Sequence, residues 1–176
     1  MNALRAATLE DAFAIHALID RHRAEGHLLP RELAEIGLHI GRFVVAVNDD
    51  EIVGCAELAP LSRDVSEVRS LVVRGDARSS GLGQLIIDEL VQRATRAGFR
   101  ALCAFTHAPA YFVQLGFSIV PHVWVPEKIV TNCHSCPEFR RCGQYAVIHP
   151  LAAAVLTAEA ARRTTETFVP LAALHA

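Results

Sequence analysis

Glu67-Val68-Arg69-Ser70-Leu71-Val72-Val73 is followed, after a short polar linker, by Arg78-Ser79-Ser80-Gly81-Leu82-Gly83. The first segment belongs to a predicted strand, 66–73, because branched aliphatic residues dominate its second half. Gly81 then opens the clearest amphipathic helix of the chain, which ends near Gly98. Its apolar positions recur on one face; they are Leu82, Leu85, Ile86 and Leu90. A strand, a glycine-bearing loop and a helix therefore follow one another.

The loop before this helix has the residues of an anion site. The first backbone N–H groups of a helix lack partners inside it and point beyond its N-terminus. Gly81 and Gly83 would let a pyrophosphate approach the backbone, Arg78 would supply positive charge, and Ser79 and Ser80 would supply hydroxyl donors. The spacing is neither that of a Walker loop nor that of the six-residue dinucleotide fingerprint. An ordinary tight turn is the alternative interpretation.

The rest of the chain alternates strands and helices. A mixed sheet in an α/β or α+β domain is therefore predicted. The expected elements are a short apolar segment at Leu4, a helix from the Thr8 cap to Gly26, a short helix after Pro30, strands 42–47 and 51–58 joined by a turn at 48–50, strand 101–105, helix 109–115, strand 117–125, a long loop 126–143, strand 144–148 and a helical tail from 151.

Composition limits the partners. The 176 residues, 52% of them hydrophobic, are enough for one domain, 1–150, with a C-terminal helical extension, 151–176, that either packs on the sheet or forms a homodimer. A net charge of -2 argues against general affinity for nucleic acid or anionic membrane. The sequence has no apolar run of about 18 residues and no signal-peptide pattern, so we expect a cytoplasmic protein.

Three segments together resemble the GNAT family of acyl-CoA-dependent N-acetyltransferases. They are the strand segment 67–73, the loop Arg78-x-x-Gly81-x-Gly83, and Phe112-Val113-Gln114-Leu115-Gly116-Phe117. Within that family, the segments 28–31 and 52–58 most resemble the stand-alone acetyltransferase domain of N-acetylglutamate synthases. The resemblance implies a mixed, mostly antiparallel central sheet, flanked by helices and splayed at the acyl-CoA cleft.

The resemblance also implies acetyl-CoA as the cosubstrate. The 3′-phospho-ADP end would lie at the glycine loop, and the pantetheine arm would pair with the preceding strand, where a backbone N–H would polarise the thioester carbonyl. The residues so assigned are Leu71, Val72, Val73, Arg78, Ser79, Ser80, Gly81, Leu82, Gly83 and Gln84.

Acetyl transfer to an amine needs a group that removes the ammonium proton. Glu67 is the expected base, because it stands where similar enzymes carry a glutamate; a solvated edge residue is the alternative. Glu57 is a second candidate. Many members of the family have a tyrosine as the acid at the position of Phe112, and the adjacent Tyr111 is rotated by about 100° on a helix. The acid is therefore unassigned.

The resemblance implies the α-amino group of glutamate, in the first step of arginine synthesis, as the acceptor. Arginine forks suit its two carboxylates. Arg31, Arg42 and Arg69 are the candidates, with Lys128 behind them, and Arg31 and Arg69 are the expected partners. A surface cation is the alternative for each, and it is favoured more for Arg42 and Lys128. Another small amine as acceptor, and a non-catalytic acyl-CoA-binding sensor, are the alternatives.

Cysteines cluster late in the chain. Cys133, Cys136 and Cys142, with His134 among them, have the spacing of half a zinc or iron–sulfur site. Zinc at these three thiols, free thiols and a redox pair all remain open. Cys55 and Cys103 fall in apolar strands and are expected to be core residues.

Overall fold

The computed structural model describes residues 3–23 and 28–151. Over these ranges the chain forms seven strands and five α-helices. Their bounds are β1 Ala3–Ala6, α1 Ala12–Arg23, α2 Leu33–Leu38, β2 Phe43–Asn48, β3 Glu51–Pro60, β4 Val65–Val73, α3 Leu82–Arg96, β5 Ala101–Thr106, α4 Pro109–Gln114, β6 Ser118–Val120, α5 Pro126–Thr131 and β7 Tyr145–Pro150.

The strands form one sheet in the order β1-β2-β3-β4-β5-β7-β6. Neighbours are antiparallel except β4 and β5, which are parallel. This parallel pair is short, because only 65–68 of β4 face 101–104 of β5 before the strands separate. The predicted fold class, a mostly antiparallel sheet splayed at its centre and flanked by helices, is confirmed.

Two apolar clusters hold the helices to opposite faces of the sheet. On one face, α3 buries Leu82, Ile86 and Leu90 against the strands. On the other, α1 and α2 pack on a cluster that includes Phe43 and Val72. Strand residues alternate between the two faces, since successive side chains of a strand point in opposite directions.

The turn between β2 and β3 forms as predicted. Asp49 and Asp50 have φ angles of 47° and 63°. Two successive residues in the left-handed region give a turn whose twist matches that of the paired strands, and Asp adopts this region at lower cost than most residues. The predicted end of α3 is also confirmed, with Gly98 at φ 83° just after the helix.

Between residues 117 and 143 the sequence interpretation was wrong, whereas the predicted strand 144–148 is confirmed as β7. The predicted strand 117–125 is reduced to β6, and a 3-10 turn at His122–Trp124 follows it. Pro121 separates them, since proline has no N–H to continue a strand ladder. The predicted loop 126–143 contains α5, which begins at Pro126.

No helix in 3–23 or 28–151 is long and apolar enough to span a bilayer. The predicted tail beyond Leu151 and the helix end near Gly26 lie outside the described residues.

Asp11 joins the first strand to the first helices. Arg5 of β1 donates two hydrogen bonds to its carboxylate, at 2.6 and 2.8 Å, and the backbone N–H of Thr8 donates a third at 2.7 Å. The Arg5 contacts are the main cause that lowers the pKa of Asp11 from 3.8 to about 2. A carboxyl with a depressed pKa in the folded state stabilises the protein above its unfolded pKa.

We therefore expect Asp11→Asn to lower the free energy of unfolding at pH 7 by about 1–2 kcal/mol. In the unsubstituted chain this contribution should be lost as the pH falls from about 4 towards 2, and the variant should lack that part of the acid dependence. Urea unfolding at several pH values measures both effects. Asp20→Asn is the control, because Asp20 is 60% exposed and its pair with Arg23 should contribute little. Equal losses in the two variants would contradict the prediction.

Candidate functional site

A cleft of about 780 Å³ opens where β4 and β5 separate. We call it the β4–β5 cleft; its walls are these strands, the loop before α3, and α4. All but one of the residues expected to bind acyl-CoA line it: Leu71, Val72, Val73, Arg78, Ser79, Gly81, Leu82, Gly83 and Gln84. Ser80 does not line the cleft, and its hydroxyl donates to the carbonyl of Ala77 at 2.7 Å.

A β-bulge marks the inner end of the cleft. β3 residue Cys55 faces Val72 and Glu57 faces Arg69, so two β4 residues oppose one β3 residue between these pairs. Ser70 in the bulge has φ 52°, and its carbonyl lies 3.7 Å from the thiol of Cys55. Beyond Val68, β4 has no strand partner on its β5 side among the described residues. This edge has the geometry to pair with an extended ligand.

The loop at the other end of the cleft presents the N-terminus of α3. Gly81 is the N-cap residue, with φ 80° and no side-chain cap. Ser79 has φ 65°, and Arg78 curls back to donate from Nε to the carbonyl of Val73 at 3.1 Å. The first N–H groups of α3 therefore lie beside the cleft without helical acceptors, as an anion site requires.

Tyr111 and Phe112 are neighbours on α4 but have different surroundings. Phe112 is 5% exposed and packs edge-on against Phe117, with ring centroids 5.2 Å apart. The hydroxyl of Tyr111 lies against Gly83, where a Cβ atom would overlap it. Burial, with a smaller contribution from Asp88, raises the pKa of Tyr111. The Tyr111 hydroxyl therefore lies beside the glycine loop, at the α3 end of the β4–β5 cleft.

A second cavity, of about 380 Å³, lies next to the cleft. We call it the charged cavity. It shares Val68, Ser70 and Phe105 with the cleft, so the two meet at the β4 bulge. Its charged lining consists of Arg31, Glu35, Glu67, Arg69 and Lys128. The structure thus brings Glu67, Arg31 and Arg69, three of the residues predicted for the acceptor site, to one cavity.

Glu67 is held between two cations. It is 3% exposed; Arg69 Nε lies 2.6 Å from Oε2, and Lys128 Nζ lies 2.7 Å from Oε1. Lys128 also lies 5.4 Å from the centre of the Phe105 ring, and Arg69 donates to the side chain of Asn132. Sequence reasoning missed Asn132 and did not pair Lys128 with Glu67, because the segment containing both was predicted as loop.

Arg31 carries a second set of ion pairs. Its Nε donates to Glu35 at 3.1 Å, its Nη1 donates to the hydroxyl of Ser70 at 3.0 Å, and its Nη2 lies 2.8 Å from Glu57. Burial alone would lower the pKa of Arg31, but the carboxylates of Glu57 and Glu35 outweigh it and raise the pKa. Glu57 is fully buried and lies outside both cavities, which disfavours it as a base. Arg42 is 3.9 Å from Glu57 and does not line the charged cavity.

The expected zinc site is not supported. Among the described residues, no group of three or more His, Cys, Asp or Glu side chains is arranged to hold a metal ion. Cys136 lines the charged cavity, Cys142 is exposed, and burial raises the pKa of Cys133. Cys55 and Cys103 are core residues, as predicted, and burial raises the pKa of each to about 12.

Comparison with known proteins agrees with this architecture. The model of the acetyltransferase (GNAT) family matches residues 9–117, which is more than half of the chain, so the chain is an acetyltransferase by family. The chain belongs to the GNAT family, and it is an acetyl-CoA-dependent N-acetyltransferase.

Two curated relatives are similar in sequence. An uncharacterized N-acetyltransferase of Chlorobaculum tepidum is 28% identical over 148 residues, which cover 84% of this chain and 96% of that protein. The amino-acid acetyltransferase of Ralstonia nicotianae is 34% identical over 116 residues, 65% of this chain. The match spans only 26% of that enzyme's length.

Solved structures share the fold. N-acetylglutamate synthase from Neisseria gonorrhoeae, complexed with coenzyme A and N-acetyl-glutamate, superposes with a TM-score of 0.78 at 24% identity, over 86% of this chain and 35% of that chain. A Mycobacterium tuberculosis protein in complex with CoA and NLQ superposes with a TM-score of 0.75 at 23% identity, over 85% of this chain and 99% of that chain.

Gly83 offers a direct test of the cleft. We expect Gly83→Val to raise the Kd for coenzyme A at least about tenfold, because the added side chain displaces Tyr111 into the cleft. Isothermal titration calorimetry measures the Kd, with thermal unfolding as a check on folding. Gly75→Ala is the matched control, since a Cβ there meets open space. An unchanged Kd in a folded Gly83→Val protein would contradict the assignment.

Proposed function

We propose that this N-acetyltransferase acetylates the α-amino group of an amino acid, with L-glutamate as the first candidate. The observation that carries the proposal is the junction of the two cavities at the β4 bulge. A thioester held along β4 and an amine held in the charged cavity would meet there. Proximity of this kind accounts for much of the rate of a two-substrate reaction.

The β4–β5 cleft would hold acetyl-CoA. Its length of unpaired strand edge suits the pantetheine arm, and the N-terminus of α3 suits the phosphates. Arg78 adds a positive charge at the same end. The backbone beside Ser70 is the proposed donor to the thioester oxygen, whose negative charge grows as the amine adds to the carbonyl carbon.

The proposed reaction is direct transfer. The neutral amine forms a bond to the thioester carbon, and the tetrahedral intermediate collapses with cleavage of the C–S bond. The second proton on the attacking nitrogen passes to the departing sulfur or to water, so the products are the N-acetyl amide and coenzyme A. Glu67 is the proposed base, which takes the ammonium proton directly or through one water molecule. An acyl-cysteine intermediate is disfavoured at Cys55 and Cys103, because a pKa of about 12 leaves these buried thiols protonated.

The charge of the acceptor follows from the lining of the charged cavity. Three cationic side chains, Arg31, Arg69 and Lys128, face two anionic ones, Glu35 and Glu67. Arginine suits carboxylates through its forked N–H groups, so the cations of this lining favour an acceptor that carries a carboxylate. The name of the Ralstonia nicotianae relative and the N-acetyl-glutamate complex of the Neisseria gonorrhoeae synthase support an amino acid, with glutamate tested first.

An acceptor screen tests the function. We expect thiol release from acetyl-CoA to be stimulated by L-glutamate above the rate without acceptor, with product identified by mass spectrometry. Other amino acids and simple amines without a carboxylate are run in parallel. If only another amino acid stimulates thiol release, that amino acid replaces glutamate as the acceptor. Binding of acetyl-CoA without turnover of any amine would overturn the proposal in favour of an acyl-CoA sensor.

Glu67→Gln tests the base. We expect kcat to fall by about 10²- to 10⁴-fold, with the Kd for acetyl-CoA changed little, because the amide keeps the shape but accepts no proton. Glu127→Gln is the matched control, a neutral substitution on α5 outside the network around Glu67. Undiminished kcat in Glu67→Gln would remove Glu67 from this role.

A further inference from the structure

Glu57 is a buried carboxylate that the proposed reaction does not use. It lies in β3, is 0% exposed, and lines neither cavity. A carboxylate in such a position is costly unless a cation compensates it. The identity of that cation indicates what Glu57 does.

Arg31 is the closest cation to Glu57. Its Nη2 lies 2.8 Å from Oε2, whereas Arg42 Nη1 and His39 Nδ1 lie 3.9 and 4.0 Å from Oε1. Within the described parts of the chain, no donor is aligned for a hydrogen bond to either carboxylate oxygen. Attraction between the two charges, in a buried setting where screening is weak, therefore dominates the contact.

The other contacts of Arg31 orient it between this buried charge and the charged cavity. Nη1 donates to Ser70, the residue of the bulge at which the cavities meet. The guanidinium lies 6.0 Å from the centre of the Phe43 ring. On the cavity side, Glu35 oxygens lie 3.1 Å from Nε and 3.0 Å from Nη2, and Glu35 is 39% exposed. Glu35 and Glu57 both contact Arg31, but only Glu35 is exposed. A carboxylate of an incoming ligand can therefore replace Glu35, but not Glu57.

We propose that Glu57 is a positioning residue: it holds the Arg31 guanidinium at the bulge so that Arg31 binds a carboxylate of the acceptor in place of Glu35. This inference rests on the proposed function, since it needs an acceptor that carries a carboxylate. It assigns Glu57 an effect on acceptor binding through Arg31, and no contact with either substrate. Lys128 and Arg69 do not share this dependence, because Glu67 holds them.

Glu57→Gln removes the charge and keeps the shape. We expect the KM for L-glutamate to rise about tenfold, with kcat and the KM for acetyl-CoA within about twofold, as expected for loss of binding that is uniform between ground and transition states. Glu57→Asp keeps the charge but shortens the side chain by one methylene. We expect its KM for L-glutamate to lie between those of the wild type and Glu57→Gln. This second variant also serves if the neutral one does not fold.

Amide acceptors give the readout that a purely structural role would not move. Steady-state kinetics are compared for L-glutamate, L-glutamine and glutamate α-amide in the wild type, Glu57→Gln, Arg31→Gln and the double variant. In the wild type, we expect the KM for one of the two amides to be higher than the KM for L-glutamate. The ratio of these two KM values should be smaller in all three variants. The double variant should resemble Arg31→Gln alone, since both changes act through one guanidinium.

Asp11→Asn is the stability control. It removes another buried, arginine-paired carboxylate away from both cavities, and we expect it to lower the thermal midpoint without changing the KM for L-glutamate. If the wild type does not distinguish glutamate from either amide, the carboxylate acceptor fails and the role of Glu57 fails with it. If the wild type distinguishes them through Arg31 and the Glu57 variants keep the full difference, only the role of Glu57 is overturned.

Discussion

The separation of β4 from β5 after Val68 is the constraint on which the rest of the site depends. Parallel strands that pair throughout leave no space between them, whereas these two pair over four residues and then diverge. The divergence leaves one edge of β4 without a strand partner, and the bulge at Ser70 turns the strand at the same point. The β4–β5 cleft, its junction with the charged cavity and the approach to the N-terminus of α3 all follow from this one break in the sheet.

Charge, rather than apolar packing, organises the charged cavity. Glu67 ties β4 to Lys128 on α5, and Glu57 ties β3 to Arg31. Both carboxylates are almost fully buried. Buried pairs of this kind are poor sources of net stability but fix geometry, because removal of one partner leaves the other uncompensated. Their contribution here is the placement of cations around a small polar space.

Local signals predicted the fold as far as residue 117 and again at β7, but they failed between these points. The hairpin at 48–50, the helix after Gly81 and its end at Gly98 follow from turn chemistry and a strong 3.6-residue period. Helix α5 has six residues, too few to show a period, and β6 is cut short before Pro121. The insertion of β7 between β5 and β6 depends on long-range pairing that the local pattern does not encode.

The β4–β5 cleft and the charged cavity differ in the same way, because local sequence patterns predict the first better than the second. The glycine loop and β4 were predicted from contiguous motifs, and Glu67, Arg31 and Arg69 lie together along the charged cavity. The pairing of Lys128 with Glu67, and the contact of Asn132 with Arg69, depend on how the segment after β6 folds back. The cysteine spacing indicated a metal, but short 3-10 turns separate the thiols and the described residues contain no ligand cluster.

The two cavities also draw on different stretches of the chain. The β4–β5 cleft is built mainly from β4 to α4, while much of the charged cavity comes from the region before β2 and from the segment between β6 and β7. The proposed donor side and the proposed acceptor side are thus separate modules of sequence that touch at one bulge. On this proposal, changes of acceptor preference, in evolution or by design, can be confined to the segments around Arg31 and Lys128 while the machinery for the acyl donor is inherited intact.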